Sequence, residues 1–278
     1  MNINHIKFYV ALSLDQVVLG SSETGSLVFT RGSTNFSKIY SLVSENINNL
    51  NLDIFNQVKK LADIRGYLAE WSKGSLEVDS DNNMFFKGMK VPPSLTYKLL
   101  QVAESESLGL SAWYNFLQKL SDTSHEDTYS RLHEFLRHNN ITINDEGNVL
   151  AWKVVTADFK DCYTRSLDNS VGATVSIPRQ SVEHNVNRTC SRGLHACAFS
   201  YVEHFGGNDS RLVLVEIDVR DIVSVPTDYD GAKVRCCKYK VLHDFGFKSQ
   251  IGDKGPYELL EDYEKAKDRD WVLQEVST

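Results

Sequence analysis

The chain has 278 residues, 41% of them hydrophobic, which is enough for two compact units with sizeable cores. Its formal net charge of -7 at pH 7 repels phosphate backbones and argues against broad nucleic-acid binding. No apolar run approaches the roughly 18 residues of a membrane span, and no basic, apolar leader opens the sequence, so we expect neither a span nor a secretion signal. The five cysteines, an odd number, favour free thiols in a reducing cytosol.

The first half predicts an N-terminal α+β domain over residues 1–145. Short apolar runs bounded by turn residues predict strands within residues 3–30 and a hairpin at residues 74–88. The stretch NFSKIYSLVSENI, between those strands and the hairpin, has helical apolar spacing. Residues 94–140 form the clearest helical block, because apolar residues recur there every three to four positions.

The second half predicts a C-terminal domain over residues 146–278 that is mainly antiparallel β with one or two helices. The pattern changes from helical to extended at NDEGNVLAWKVV, which sets the boundary, and further strands are predicted at VGATVSIP, RLVLVEIDV, DIVSV and KVRCCKYKVL. A short helix is predicted at AFSYVEHF and a charged C-terminal helix after Pro256. The predicted fold class is therefore α+β.

The stretch TCSRGLHACAFSYVEHF, residues 189–205, contains metal-ligating and nucleophilic residue types. Six residues separate Cys190 from Cys197, whereas structural zinc sites favour ligands two to four residues apart, so we predict no metal site. A cysteine nucleophile activated by His195 or His204 would need a spatial pairing that sequence proximity does not establish. His195 is the preferred candidate because a polar side chain inside an apolar strand is costly to bury without a partner.

Charged residues in the second half supply the remaining candidates for a binding site. On a strand of period two, Lys233 and Arg235 share one face, while Lys238 and Lys240 share the other. A solvated edge strand protected by lysines, with a salt bridge from Asp228, would explain this block without a ligand. The candidate binding residues are Arg179, Arg188, His195, Asp228, Tyr229, Lys233 and Arg235.

Four blocks of the second half resemble the RIIB proteins of bacteriophages. They are NVLAWKVV, DNSVGATVSIPR, NRTCSRGLHACAFSYVEHFG and RDIVSVPTDYDGAKVRCCKY, and their order and spacing resemble that family over about residues 109–245. The loop SVEHNVNRTC departs from the more acidic, proline-containing run of the family, which puts any role for His184 in doubt.

The resemblance implies a phage early accessory protein that acts beside a larger RIIA-like partner. That pair is associated with lysis inhibition, with the host envelope and with overcoming exclusion by resident prophages. We therefore expect a non-enzymatic adaptor without a cofactor, in the host cytoplasm or peripherally at the inner membrane through its partner, with a host target that the sequence does not identify.

An enzymatic alternative remains open. A strand ending in GLH, a short helix, a GGND turn and the strand RLVLVEIDV resemble the order of elements in ADP-ribosyltransferase-like folds. There His195 would contact a ribose and Glu216 would polarise the reacting sugar, with NAD or another nucleotide as the cofactor. Likeness of fold does not by itself license an activity.

Overall fold

The computed structural model describes residues 6–33, 35–81, 83–104, 109–123, 131–132, 135–136 and 142–276, with the backbone alone for residues 104 and 268–276. The chain divides into two compact units, residues 1–107 and 108–278. The domain boundary predicted between residues 145 and 146 falls inside the second unit. That the chain forms two separable domains with this boundary stays a prediction.

The first unit is built on a three-stranded antiparallel meander, β1-β2-β3. One face of this sheet carries Val17, Leu19 and Phe29, which pack with Ile39 and other apolar residues of α1 and α2. The strands predicted within residues 3–30 and the hairpin predicted at residues 74–88 are confirmed, whereas α2 and α3 were not predicted. The elements are β1 Phe8–Ser13, β2 Gln16–Ser21, β3 Gly25–Thr30, α1 Phe36–Glu45, α2 Leu52–Ala62, α3 Ile64–Trp71, β4 Leu76–Val78, β5 Met84–Phe86, β6 Met89–Lys90 and α4 Pro93–Glu104.

The second unit is an eight-stranded antiparallel sheet with the order β12-β13-β10-β8-β11-β14-β9, and β7 pairs with β8 off this path. All seven residues of the central strand β8 are buried, and six of them are apolar, the exception being Lys153. The α+β class with an antiparallel C-terminal sheet is confirmed. The elements are α5 Gly109–Ser121, β7 Thr142–Ile143, β8 Val149–Val155, β9 Thr174–Ser176, β10 Leu194–Cys197, β11 Arg211–Ile217, β12 Ile222–Ser224, β13 Lys233–Cys236, β14 Lys238–Phe247, α6 Lys248–Ile251 and α7 Pro256–Val276.

The structure describes one predicted helical block in part and shows another predicted helix to be of the 3-10 type. In the block predicted at residues 94–140, α4 and α5 are present and residues 131–132 and 135–136 are helical, whereas residues 124–130, 133–134 and 137–140 lie outside the described residues. The helix predicted at AFSYVEHF is a 3-10 helix, Phe199–His204, because it has only six residues between two extended residues. None of the helices in the described part of the chain combines the length and apolar character that crossing a bilayer requires.

The turn between β7 and β8 packs tightly against α5. Gly147 has φ 78°, and a Cβ atom built on it would lie 2.4 Å from the Phe116 nitrogen and 2.6 Å from the Asn115 carbonyl carbon. Both are backbone atoms, which cannot rotate away. The turn therefore requires glycine for its left-handed conformation and for this approach.

Gly147→Ala is expected to lower the free energy of unfolding by roughly 3 kcal/mol, because it adds backbone strain to a clash with a helix. The measurement is urea denaturation of the full chain. Gly172→Ala is the matched control, since Gly172 also has a positive φ, 87°, but nothing lies within 4 Å of its added Cβ. Equal losses in the two variants would show that α5 does not lie against this turn.

Candidate functional site

The strand that carries Lys233 and Arg235 lies inside the sheet. β13 pairs with β12 on one side and β10 on the other, and the exposed fractions of Lys233 and Arg235 are 6% and 0%. The interpretation of this strand as a solvated edge is therefore wrong. Arg235 lies opposite His195 and Lys233 opposite Cys197, which places these four side chains on one face of the sheet.

This face is covered by the loop of residues 183–192, whose carbonyl groups accept hydrogen bonds from the two buried cations. Arg235 donates from Nη1 to the Asn185 carbonyl at 3.2 Å and from Nη2 to the Arg188 carbonyl. Lys233 Nζ donates to the Thr189 carbonyl at 2.9 Å. The cations thus hold the loop against the sheet, and these bonds offset the cost of burying their charge.

Lys233 also forms the ion pair that the sequence suggested. Its Nζ lies 2.5 Å from Asp228 Oδ2. When the side-chain atoms alone are counted, Lys233 is 8% and Asp228 17% exposed. The rings of Tyr201 and Tyr229 lie 5.6 and 5.7 Å from Nζ. Asp228, Tyr229, Lys233, Arg235 and His195 are therefore brought together around one face of β10 and β13. Asp228 Oδ1 is buried and accepts no hydrogen bond from the described residues.

His195 is half-buried and its environment disfavours the charged imidazolium. Burial, reinforced by the cations Lys153, Arg235 and Lys233, lowers the pKa of His195 from 6.5 to about 4, while a hydrogen bond with the Gly193 backbone acts in the opposite direction. The imidazole is therefore neutral at physiological pH.

Lys153 was not among the predicted site residues, although it is the one charged side chain in the apolar run VLAWKVV. Its Nζ donates to the His195 carbonyl at 2.8 Å and lies 5.2 Å from the ring of Tyr239. Burial lowers the pKa of Lys153. The signal available in the sequence was this single lysine within an apolar run that is predicted to be a strand.

The guanidinium groups of Arg179 and Arg188 do not contribute to this cluster. Arg179 donates to the carbonyls of Arg220 at 2.7 Å and Ile222 at 2.9 Å, which fixes the start of β12. The Arg188 side chain is exposed and pairs with Glu183 at 2.7 Å. Only the backbone carbonyl of Arg188 contributes to the cluster.

Glu216 is engaged elsewhere. Its Oε1 accepts hydrogen bonds from Asn144 Nδ2 at 2.6 Å and from Asn148 Nδ2 at 2.8 Å, so the carboxylate ties β11 to the turn before β8. This glutamate therefore has a structural function in the second unit.

The sheet register also separates Glu216 from His195. Cys197 of β10 pairs with Trp152 of β8, and His195 lies two residues from this pair along the sheet. Glu216 of β11 pairs with Leu150 of β8, which lies two residues from Trp152 in the opposite direction. At about 3.3 Å per residue and 4.8 Å per strand, the two backbone positions are roughly 16 Å apart. The geometry does not bring the two predicted catalytic residues together.

The cysteines are free thiols, and three of them, Cys197, Cys236 and Cys237, are buried. Burial raises the pKa of Cys197 and Cys236 to about 12, so these thiols are protonated and unreactive at neutral pH. Cys190 is exposed. Over the part of the chain that the structure describes, no three histidine, cysteine or acidic side chains lie close enough together to hold a metal ion.

Comparison with known proteins gives one family. The family model described as Bacteriophage T4 protein rIIB matches residues 74–251, a range that contains every candidate site residue. Protein rIIB of Enterobacteria phage T4 is 34% identical over 205 residues, which are 74% of this chain and 65% of that protein. The match thus spans slightly less than two thirds of the relative's length. No solved structure matches the chain.

Proposed function

The chain belongs to the phage rIIB family, and we propose that it is a non-enzymatic accessory protein acting with a RIIA-like phage protein. Its role would be lysis inhibition and the overcoming of exclusion by the host or a resident prophage. The observation that carries this proposal is the family match over residues 74–251. The proposed location is the host cytoplasm, with peripheral contact at the inner membrane through the partner.

The hydrogen-bond partners of the buried polar groups support the adaptor role. The guanidinium of Arg235 and the ammonium of Lys233 are directed at backbone carbonyls of their own chain. Glu216 is held by two asparagines, roughly 16 Å from His195 along the sheet. These residues stabilise the fold, and their arrangement does not favour the NAD-dependent alternative.

The proposal is tested by affinity purification of the tagged full chain from infected cells, expressed from its own phage locus and read by quantitative mass spectrometry. We expect one large phage-encoded protein to co-purify in near-stoichiometric amount. Recovery of the chain alone, at the same expression level, would contradict the adaptor role.

A second measurement distinguishes the enzymatic alternative. The purified chain is incubated with labelled NAD and host lysate, and His195→Gln serves as the matched variant. We expect no label on any host protein with either chain. Transfer of label by the wild-type chain that is absent with His195→Gln would contradict the adaptor role and support an ADP-ribosyltransferase activity.

A further inference from the structure

The three-stranded sheet of the first unit packs on α1 and α2 through only one of its faces. Side chains at the intervening positions of β1, β2 and β3 lie on the other face, which we term the open face. The strand register arranges them in three rows across the sheet, Tyr9–Gly20–Ser26, Ala11–Val18–Val28 and Ser13–Gln16–Thr30. All nine are exposed except Val18, which is half-buried, and Gly20, which is buried. The open face therefore has an apolar central row, with hydroxyl or amide groups in both outer rows.

The open face carries no charge at any of these nine positions, although 24% of the residues in the chain are charged. A solvated surface typically has about 25–35% charged residues, so roughly two or three of nine positions would be expected to carry a charge. The charged residues next to the open face lie beyond the strand ends. Lys7 precedes β1, and at the opposite end Arg31 pairs with Asp15 at 3.4 Å. Depletion of charge around an apolar centre is typical of protein interfaces.

Tyr9 is held in place on the open face by its own chain. A Cβ atom added to Gly20 would lie 2.2 Å from the Tyr9 ring carbon Cζ, so the ring covers this glycine of the neighbouring strand. The hydroxyl groups of Tyr9 and Ser26 share a hydrogen bond of 2.9 Å, which fixes the far end of the ring over β3. Because the side chain is already ordered, a partner that packs on it incurs little further loss of rotamer entropy.

We propose that the open face binds the open face of a second copy of this chain, about a two-fold axis that runs along β2. In a two-fold interface the same surface serves both copies, so a charge near the axis would meet its own counterpart, and this surface has none there. The axis places Ala11 opposite Val28 of the second copy and Tyr9 opposite its Ser26, so that a small side chain meets a larger one in both rows. Gly20 meets Gly20, which leaves space for the two tyrosine rings.

The size of the open face predicts a weak dimer. Three strands of six residues outline roughly 14 by 20 Å, which is less than the roughly 800 Å² that each partner buries in a stable complex. We therefore expect a dissociation constant on the order of tens of micromolar. The family model matches residues 74–251, so the open face lies outside the matched region and the inference goes beyond the adaptor role.

The test is sedimentation equilibrium of the purified full chain, without other phage proteins, from about 5 to 300 μM, a range that brackets the expected dissociation constant. We expect the apparent mass to rise from that of one chain towards that of two. Val28→Lys should weaken association at least about ten-fold, because it places an unpaired charge in the apolar centre. Val171→Lys is the matched control: Val171 lies in the second unit and is 53% exposed, against 54% for Val28. This control should associate like the wild-type chain.

A mixture of two variants tests the position of the axis. Ala11→Glu alone should also weaken association, but position 11 of one copy lies opposite position 28 of the other in the proposed dimer. Mixing Ala11→Glu with Val28→Lys should therefore restore association, because the new carboxylate and ammonium groups pair. Both positions are exposed, so the midpoint of thermal unfolding of each variant should change little.

Three results would overturn the proposal. The first is a wild-type chain that stays monomeric up to the highest concentration, which would leave the open face to a different partner. The second is an equal loss of association in Val28→Lys and Val171→Lys. The third is a mixture of Ala11→Glu and Val28→Lys that associates no better than either variant alone.

Discussion

Replacement of Arg235 by methionine is expected to lower the free energy of unfolding by about 4 kcal/mol, a loss at the upper end for single substitutions. Methionine fills a similar volume but donates no hydrogen bond. The carbonyls of Asn185 and Arg188 and the hydroxyl of Ser224, which accept from Arg235 in the wild-type chain, would lose a charged donor. The loop of residues 183–192 would then detach from the face of β10 and β13.

Guanidinium denaturation measures the loss, and hydrogen exchange locates it. Amides of residues 183–192 should exchange faster in Arg235→Met than in the wild-type chain under native conditions. Lys240→Met is the matched control, because Lys240 is an exposed cation on β14 and its loss should change stability by less than about 0.5 kcal/mol. A loss of similar size in both variants would mean that Arg235 does not clamp the loop.

Acidification is expected to destabilise the fold through His195. The folded pKa is about 4 and the unfolded value 6.5, so between these pH values the unfolded chain takes up a proton that the folded chain does not. The contribution of His195 to the free energy of unfolding is therefore complete above pH 6.5. It falls by about 1.4 kcal/mol per pH unit below that pH and levels off below pH 4, after a loss of roughly 3 kcal/mol.

The contribution of Asp161 to stability changes over a different pH range. Hydrogen bonds with Thr164, Ser166 and Leu167 lower the pKa of Asp161 from 3.8 to about 2 against the opposing effect of burial. The stability that Asp161 contributes is thus present above pH 3.8 and is lost as the pH falls towards 2. Asp161 therefore contributes little to the change between pH 6.5 and 4, and the part that is due to His195 is isolated by replacing that histidine.

His195→Gln is the variant that tests this assignment. Glutamine does not titrate, so the difference in unfolding free energy between pH 7 and pH 4.5 should be smaller than in the wild-type chain by more than 2 kcal/mol. Urea denaturation at several pH values gives the comparison. His184→Gln, at an exposed loop position, is the control for a histidine-to-glutamine change outside the sheet. Parallel curves for wild type and His195→Gln would show that the surroundings of His195 do not disfavour the charged imidazolium.

Much of the fold could be predicted because it follows from local pattern. Alternating or continuous apolar runs identified the strands of the C-terminal sheet, and helical spacing identified α1. The helix α2 was missed although its signal is present: Asn51 caps it by accepting from the Ile54 N–H at 3.1 Å, and Ile54, Phe55 and Val58 recur at helical spacing on its buried side.

The candidate site was less predictable because non-local partners determine it. Lys233 and Arg235 on a short strand suggest exposure, since charged side chains are seldom fully buried. Their burial depends on loop carbonyls 44 to 50 positions away in the chain. The role of Glu216 likewise depends on two asparagines 72 and 68 positions earlier. Composition and periodicity carry no information about such pairings.

The order of strands in the sheet has a consequence for synthesis on the ribosome. β8, whose seven residues are all buried, pairs with β10 and β11, which are made much later, and β10 is not covered on its other side until β13 emerges. Until then β8 is paired only at Val149 and Leu150, with β7, so the nascent chain carries a largely unpaired apolar strand for a long stretch of translation, a state prone to aggregation. A chain that stops before Lys233 would expose β10 as an open edge and leave the loop of residues 183–192 without its clamp. We expect such truncated products to be lost by aggregation or proteolysis before any question of activity arises.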